Sequence, residues 1–521
     1  MVKLTVFFTT LLVGCLMLPT GIYASDNNNY VTVVSPVRGR QHWKSIDSVR
    51  DQIQLILRLN IPATWLLQYS VLDDQQALDN FNNLSNRAEI GVFLEVDENL
   101  ADKADVPYIY GQGDWARADK VLLSGYFPPE RLRMIDTVFA RFKSVFGDYP
   151  KSVGSWYIDT VSLDYLVEKY HVQAVLDVAD QYQTDTYGVW GKPWGTSYYP
   201  DKGNSLIPAQ SRDSRLDAVL IQWAQRDPVF GYGLTVKDST YSIQANDYIS
   251  HHDLAIEYFD RLAKAYLTGS NSINQLTVGL EAGQEGASYL GEFENQLKSL
   301  MRLREQNLIK FVTMTDYTAK YKEINPIQSA SSLVVGTDFT DNKTKSYWYS
   351  TPYYRIGIFQ KVNKLIISDL RVYDAAYTFP DIVEGDKNHV LKREIPACLD
   401  RFDQRNERIL VNNLVSVEIN RNESRVEIIA KALEGKLTKI LLLEDRIIID
   451  GQLLIGFPLS KSITQSAQRL LTDLIIEANI NREYGFAGGL RYSYVNHQYY
   501  CRARGRPRCF GRAFKIGFSS N

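Results

Sequence analysis

Between Gly154 and Gln210 the sequence sets Asp159, at the end of an apolar run, and Asp180 and Asp185, in the loop after the next one, among the aromatic residues Trp156, Tyr182, Tyr187, Trp190, Trp194, Tyr198 and Tyr199. Aromatics make up 12% of the whole chain, so this block is strongly enriched. Flat apolar rings with hydrogen-bonding edges suit the C–H faces of sugars. Trp156, Tyr182, Trp190, Trp194, Tyr198 and Tyr199 are therefore expected to hold a saccharide; the alternative is a small core under a long loop. A second signal is the apolar run Leu276-Thr277-Val278-Gly279-Leu280, which ends in Glu281 before a glycine-rich turn. Asp316 and Glu95 follow other apolar runs in the same way. Glycosidic hydrolysis needs one carboxyl as acid and another as nucleophile or base. Asp159 and Glu281 are expected to share these roles, with Asp185 and Asp316 as alternates. Asp159 also reads as a helix N-cap, because Thr160-Val161-Ser162-Leu163 follows it.

Of the six histidines, His42 follows the first apolar run and is expected at the same face, contacting substrate. No His-x-x-x-His pair is present, and a cysteine-based zinc site would lack a fourth ligand. Neither a metal nor a cofactor is expected.

The elements that must position these residues alternate. Short β-branched or apolar runs at 30–36, 63–67, 88–95, 152–158, 174–178, 218–223, 276–281 and 311–315 read as strands, and 47–60, 129–146, 163–170, 252–267 and 292–306 read as amphipathic helices. The pattern predicts an α/β fold, a (β/α)7-8 barrel over 30–325, whose active face lies past the C-terminal ends of the strands. From 326 to 521 short runs at 333–335, 353–359, 364–372, 414–420, 426–432, 438–443 and 446–453 predict a smaller all-β, sandwich-like accessory domain.

Composition narrows the partners. With 23% charged residues, a net charge of −2 and no long basic stripe before the last twenty residues, the chain lacks the footprint of a nucleic-acid binder. Residues 1–24 run from Lys3 through an apolar stretch to Ala24 and Ser25, the layout of a signal peptide. A secreted or cell-envelope protein is expected, touching membrane only through an uncleaved N-terminus or a lipidated Cys15. Cys501 and Cys509 could close a short loop, whereas Cys398 has no obvious partner.

The order of blocks resembles the glycoside hydrolase/deacetylase superfamily of polysaccharide deacetylase-like barrels over roughly residues 30 to 320. Ala63-Thr64-Trp65-Leu66-Leu67 looks like its second strand, Glu89 to Glu95 its third, and Gly154 to Val178 a later strand-helix-strand unit. The resemblance implies, for the deacetylase branch, a metal held by an aspartate pair after the first strand and two histidines after the third. This chain departs there, with Ser35-Pro36-Val37-Arg38 and Glu95-Val96-Asp97-Glu98-Asn99. For the glycosidase branch it implies a nucleophile after the fourth strand and an acid after the seventh, which by strand order are Asp159 and Glu281. The first expectation is a glycoside hydrolase-like enzyme acting on an oligo- or polysaccharide. The others are a non-catalytic carbohydrate-binding envelope protein, or a deacetylase with an atypical metal site built from His42 with Asp159, Asp185 or Glu95.

Overall fold

The computed structural model describes residues 27–456, apart from 83, 85, 109–116, 233–235, 270, 342, 376, 398, 400–406 and 423–424, together with 490–495 and 498–503. The expected leader, Cys15, Cys398 and Cys509 lie outside the described residues. Cys501 lies on the hairpin strand Gln498–Ala503. No described helix is long and apolar enough to cross a membrane.

Parallel strands form the first unit: β1 (Asn29–Val37), β2 (Ala63–Leu67), β3 (Ala88–Phe93), β4 (Ser152–Gly154) and β5 (Ala174–Val178), followed, after a hairpin of β6 (Gln181–Thr184) and β7 (Tyr187–Trp190), by β8 (Val219–Trp223), β9 (Asn274–Gly279) and β10 (Lys310–Val312). Their order is β9-β1-β2-β3-β4-β5-β8, with β10 beside β1. Strands such as β2, β5 and β8 are buried along their whole length, which is why they read as continuous apolar runs rather than alternating ones. Helices lie between them. Ile46–Leu59 is capped by the Ser45 side chain and stopped by Asn60 in the left-handed region at φ 51°, and Thr160–Tyr170 is capped by Asp159 and stopped by His171 at φ 56°.

The barrel closes between β8 and β9 through a side chain. Gln225, just past β8, accepts from the Thr277 amide at 3.1 Å and donates to the Gln275 side chain at 3.2 Å. Gly279 sits at this seam, where a Cβ would lie 1.9 Å from the Val34 carbonyl and 2.4 Å from the Trp223 ring. Gly279→Ala should therefore overpack the seam and destabilise the fold by roughly 1–3 kcal/mol, measured by denaturant unfolding.

The expected (β/α)7-8 barrel is present, with β10 as its short eighth strand. β10 pairs only with Tyr30 to Thr32, the first half of β1, whose second half pairs with β2. The helix Met314–Ile324 then crosses the end of the barrel where strands begin: its Met314 amide donates to Thr64 and its Thr315 amide to Glu89.

The second unit is a sandwich. β11 (Ser332–Thr337), β12 (Lys345–Ser350), β13 (Tyr354–Lys361) and β14 (Lys364–Val372) form one antiparallel sheet, which is completed, after β15 (Leu391–Glu394), by β16 (Arg408–Asn412). β17 (Leu414–Asn422), β18 (Arg425–Ala432), β19 (Leu437–Leu443), β20 (Arg446–Ile449) and β21 (Gln452–Gly456) form the other. Residues spaced by two, such as Ile356 and Ile358 from one sheet and Val426, Ile428 and Ala430 from the other, build the core between them. The exception is β15, which leaves the sandwich and pairs in parallel with β7 of the barrel.

Candidate active site

The mouth of the barrel is organised by Arg38, the residue after β1, which is only 3% exposed. Its Nη2 donates to Glu95 Oε1 at 2.8 Å, and its Nε donates to Glu95 Oε2. Its Nη1 donates to Glu281 and, at 2.6 Å, to Gln284. Glu95 follows β3 and Glu281 follows β9, so one guanidinium links the ends of three strands. Trp156, past β4, donates its indole N–H to Glu95 at 2.9 Å, and Arg38 lies 5.8 Å from its ring.

A cavity of about 130 Å³ opens beside this cluster, lined by Trp156, Tyr187, Asp185, Asp247, Glu281 and Glu285, with Arg226, Asn246 and His251 among the other lining residues. Burial pushes the Glu281 carboxyl up to about 7; neighbouring Glu95 and Asp185 push the same way, and Arg38 opposes them. Glu285 is raised by burial and by Glu281, whose amide donates to it at 3.1 Å, while Asn246 donates at 2.6 Å. Burial likewise takes Asp247 to about 7, against the pull of Arg226. The mouth therefore holds several carboxyls able to carry a proton near neutral pH.

Asp185 reaches this cavity from the tip of the β6–β7 hairpin. Asp185 and Thr186 both have positive φ, 51° and 66°, which a two-residue primed turn demands and a β-branched threonine resists. Its carboxyl is raised by burial and held down by Arg38 and Arg226.

Of the expected catalytic residues, the structure brings Glu281 and Asp185 together and separates the other two. Asp159 is buried away from the cavity lining. It pairs with Arg131 at 2.7 Å, accepts from the Ser162 amide at 3.0 Å and from the Ser162 hydroxyl at 2.6 Å, so its position is that of an N-cap and buried counter-ion. Asp159→Asn should cost about 1–3 kcal/mol of stability in an unfolding titration and leave catalysis per folded molecule unchanged. Asp316 is exposed in the first turn of Met314–Ile324, at the opposite end of the barrel, because β10 stops halfway along β1.

The aromatic block divides in the same way. Trp156 lines the cavity. Trp190 and Trp194 do not: Trp194 stacks on Trp348 of β12 at 4.1 Å and 10°, and Trp190 stacks on Tyr232 at 5.2 Å, forming a core where barrel meets sandwich. Tyr198 and Tyr199 are buried and donate to the Ser205 and Asn325 carbonyls. The saccharide contact expected of these four gives way to interior packing, for Trp194 against Trp348 of β12 and for Tyr199 against Tyr321. Tyr182 lies on β6, and its side chain is outside the described residues. His42 is half-buried in the short turn Arg40–His42, its imidazole pKa lowered by burial and by the Arg38 charge.

Sequence reasoning missed Arg38 as an organiser, along with Glu285, Asp247 and Arg226. The i,i+4 spacing of Glu281 and Glu285 was a visible signal; Asp247 ends the short helix Ala245–Asp247 and Arg226 sits in an isolated bridge to Ser242, segments too short for periodicity to flag.

The barrel has a parallel among solved structures. A candidate glycoside hydrolase/deacetylase from Parabacteroides distasonis superposes with a TM-score of 0.56 at 15% identity, covering 71% of this chain and 90% of its own. The chain has the glycoside hydrolase/deacetylase fold. A candidate polysaccharide deacetylase from Mycobacterium smegmatis (TM-score 0.35, 8% identity, 58% of this chain and 93% of its own) and a peptidoglycan deacetylase from Bacillus subtilis (0.25, 11%, 58% and 96%) are also similar. No family model and no curated protein matches the sequence.

The metal that the deacetylase branch implies does not suit this donor set. Arg38 places a tethered positive charge between Glu95 and Glu281, and a dication there would meet that charge at contact range. Among the described residues no group of three or more His, Cys, Asp or Glu is arranged to hold a metal ion.

Proposed function

We propose that the chain is an exported carbohydrate-active hydrolase of the glycoside hydrolase type, working without a metal. Glu281 is its general acid and Asp185 its second carboxylate; Arg38 and Trp156 hold the site in shape. The observation that carries this reading is the pairing of a carboxyl raised to about 7, Glu281, with a second carboxyl, Asp185, across one polar cavity lined by Trp156 and Tyr187. The cavity is smaller than the roughly 300–1,000 Å³ common for ligand sites, which favours a terminal sugar unit over an internal stretch of polymer. Export rests on the sequence of residues 1–24.

The test is release of reducing ends from a panel of α- and β-linked glycans. Turnover that stops in Asp185→Asn is the expected result. Silence across the panel together with measurable glycan binding would instead make the protein a non-catalytic sugar binder.

A further inference from the structure

Beneath the barrel, at the end where its strands begin, a groove of about 650 Å³ runs between the helix Ile256–Leu267 and strands β11 and β17 of the sandwich. Arg261, Lys264 and Arg421 line it, and no carboxylate does. In a chain with a net charge of −2 this is a local concentration of positive charge. Its floor is apolar, from Leu333, Val335 and Ile419.

Arg421 is the informative member. It is half-buried, its Nη1 donates to the Asn271 side-chain oxygen at 2.5 Å, and no carboxylate lies at ion-pair distance from it among the described residues. Its Nε is buried without a hydrogen-bond partner. A guanidinium drawn out of water with no counter-charge is costly unless something supplies one. A second recess of about 770 Å³, lined by Asn271, Ser272, Gln328 and the Glu444 carboxylate, opens on the other side of the same guanidinium, so a carboxylate faces Arg421 on that side and none does on the side of the groove.

We infer that this groove is a second binding site, distinct from the barrel mouth, for a sugar-sized ligand carrying an oxyanion, either a carboxylate or a phosphate. The edge of the Arg421 guanidinium that lines the groove donates to the oxyanion; Arg261 and Lys264 supply charge from the facing helix; the apolar floor takes a ring face. The site does not depend on what the mouth does.

The experiment is calorimetric titration of the full chain with three probes: a galacturonic acid trimer, inorganic phosphate and neutral maltotriose. Arg421→Gln and the double variant Arg261→Gln/Lys264→Gln run alongside, the double variant keeping the test valid if Arg421→Gln folds poorly. At least one anion should bind, and it should bind about tenfold or more weakly in each variant. Its affinity should fall as salt is raised, and the neutral trimer should leave the groove empty. Binding of the trimer alone assigns a uronate-like ligand, and binding of phosphate alone a phosphorylated one. Equal affinity in wild type and both variants, or no binding of either anion, overturns the assignment.

Discussion

Glu281→Gln is expected to lower turnover of the responsive glycan by about 10²–10⁴-fold while leaving its Kd within a few-fold, because the amide keeps the shape of the side chain and loses the proton donor. The pH dependence should show the same role. An acid whose carboxyl sits at about 7 is protonated below that pH and loses its proton above it, so the wild-type rate should fall on the alkaline side. Asp185 must be ionised, so the rate should also fall in acid. In Glu281→Gln the residual rate should lose the alkaline limb and keep the acidic one. Glu285 is close enough to share the titration, so the alkaline limb belongs to the pair. A residual rate that still falls through pH 7 would move the acid role to Glu285 or Asp247.

Arg355→Met should destabilise the protein by about 3–5 kcal/mol in denaturant or thermal unfolding. Arg355, on β13, is fully buried where the sandwich meets the barrel. Its Nε and Nη2 clasp Asp369 at 2.9 and 3.1 Å, and its Nη1 donates to Asp180 and, at 2.7 Å, to the Lys192 carbonyl. Asp369 is also bonded by Arg371 at 3.0 Å and by the Tyr232 hydroxyl at 3.1 Å. Removing Arg355 leaves Asp180 without its cation in a place water does not reach. The two arginines hold the Asp369 carboxyl below its ordinary range despite burial. A depressed carboxyl adds stability that is complete above its unfolded pKa and is lost as pH falls through the folded value. The wild type should therefore lose part of its stability in acid, and the variant should lose less over the same range. Asp180 also opens the hairpin that carries Asp185, so turnover should decline together with stability.

The barrel was legible because parallel strands buried on both faces leave unbroken apolar runs, and the capped helices between them keep their 3.6-residue spacing. Glu281 was legible for the same reason: a carboxylate directly after such a run has few other places to be. Asp159 satisfied the same rule and landed elsewhere, because β4 ends at Gly154 and the intervening residues carry the chain to a helix cap against Arg131. A buried arginine 28 residues away leaves no mark in local pattern. Trp190 and Trp194 illustrate the other limit. Composition shows that aromatic faces are abundant, but whether they meet a sugar or Trp348 depends on a contact more than 150 residues distant. The β6–β7 hairpin was hidden by its turn, since Asp185-Thr186 lacks the glycine that normally announces one.

The parallel pairing of β15 with β7 has a consequence for how the two halves of this protein can be inherited. A strand inserted between two strands of the first sandwich sheet braces the hairpin whose tip presents Asp185, so the sandwich is no appendage that shuffling could trade for another. A chain ending at the barrel's last helix would keep Glu281 and Arg38 and lose the scaffold for their partner. A substitution in β15 can therefore shift the position of Asp185 in a pocket that β15 does not line.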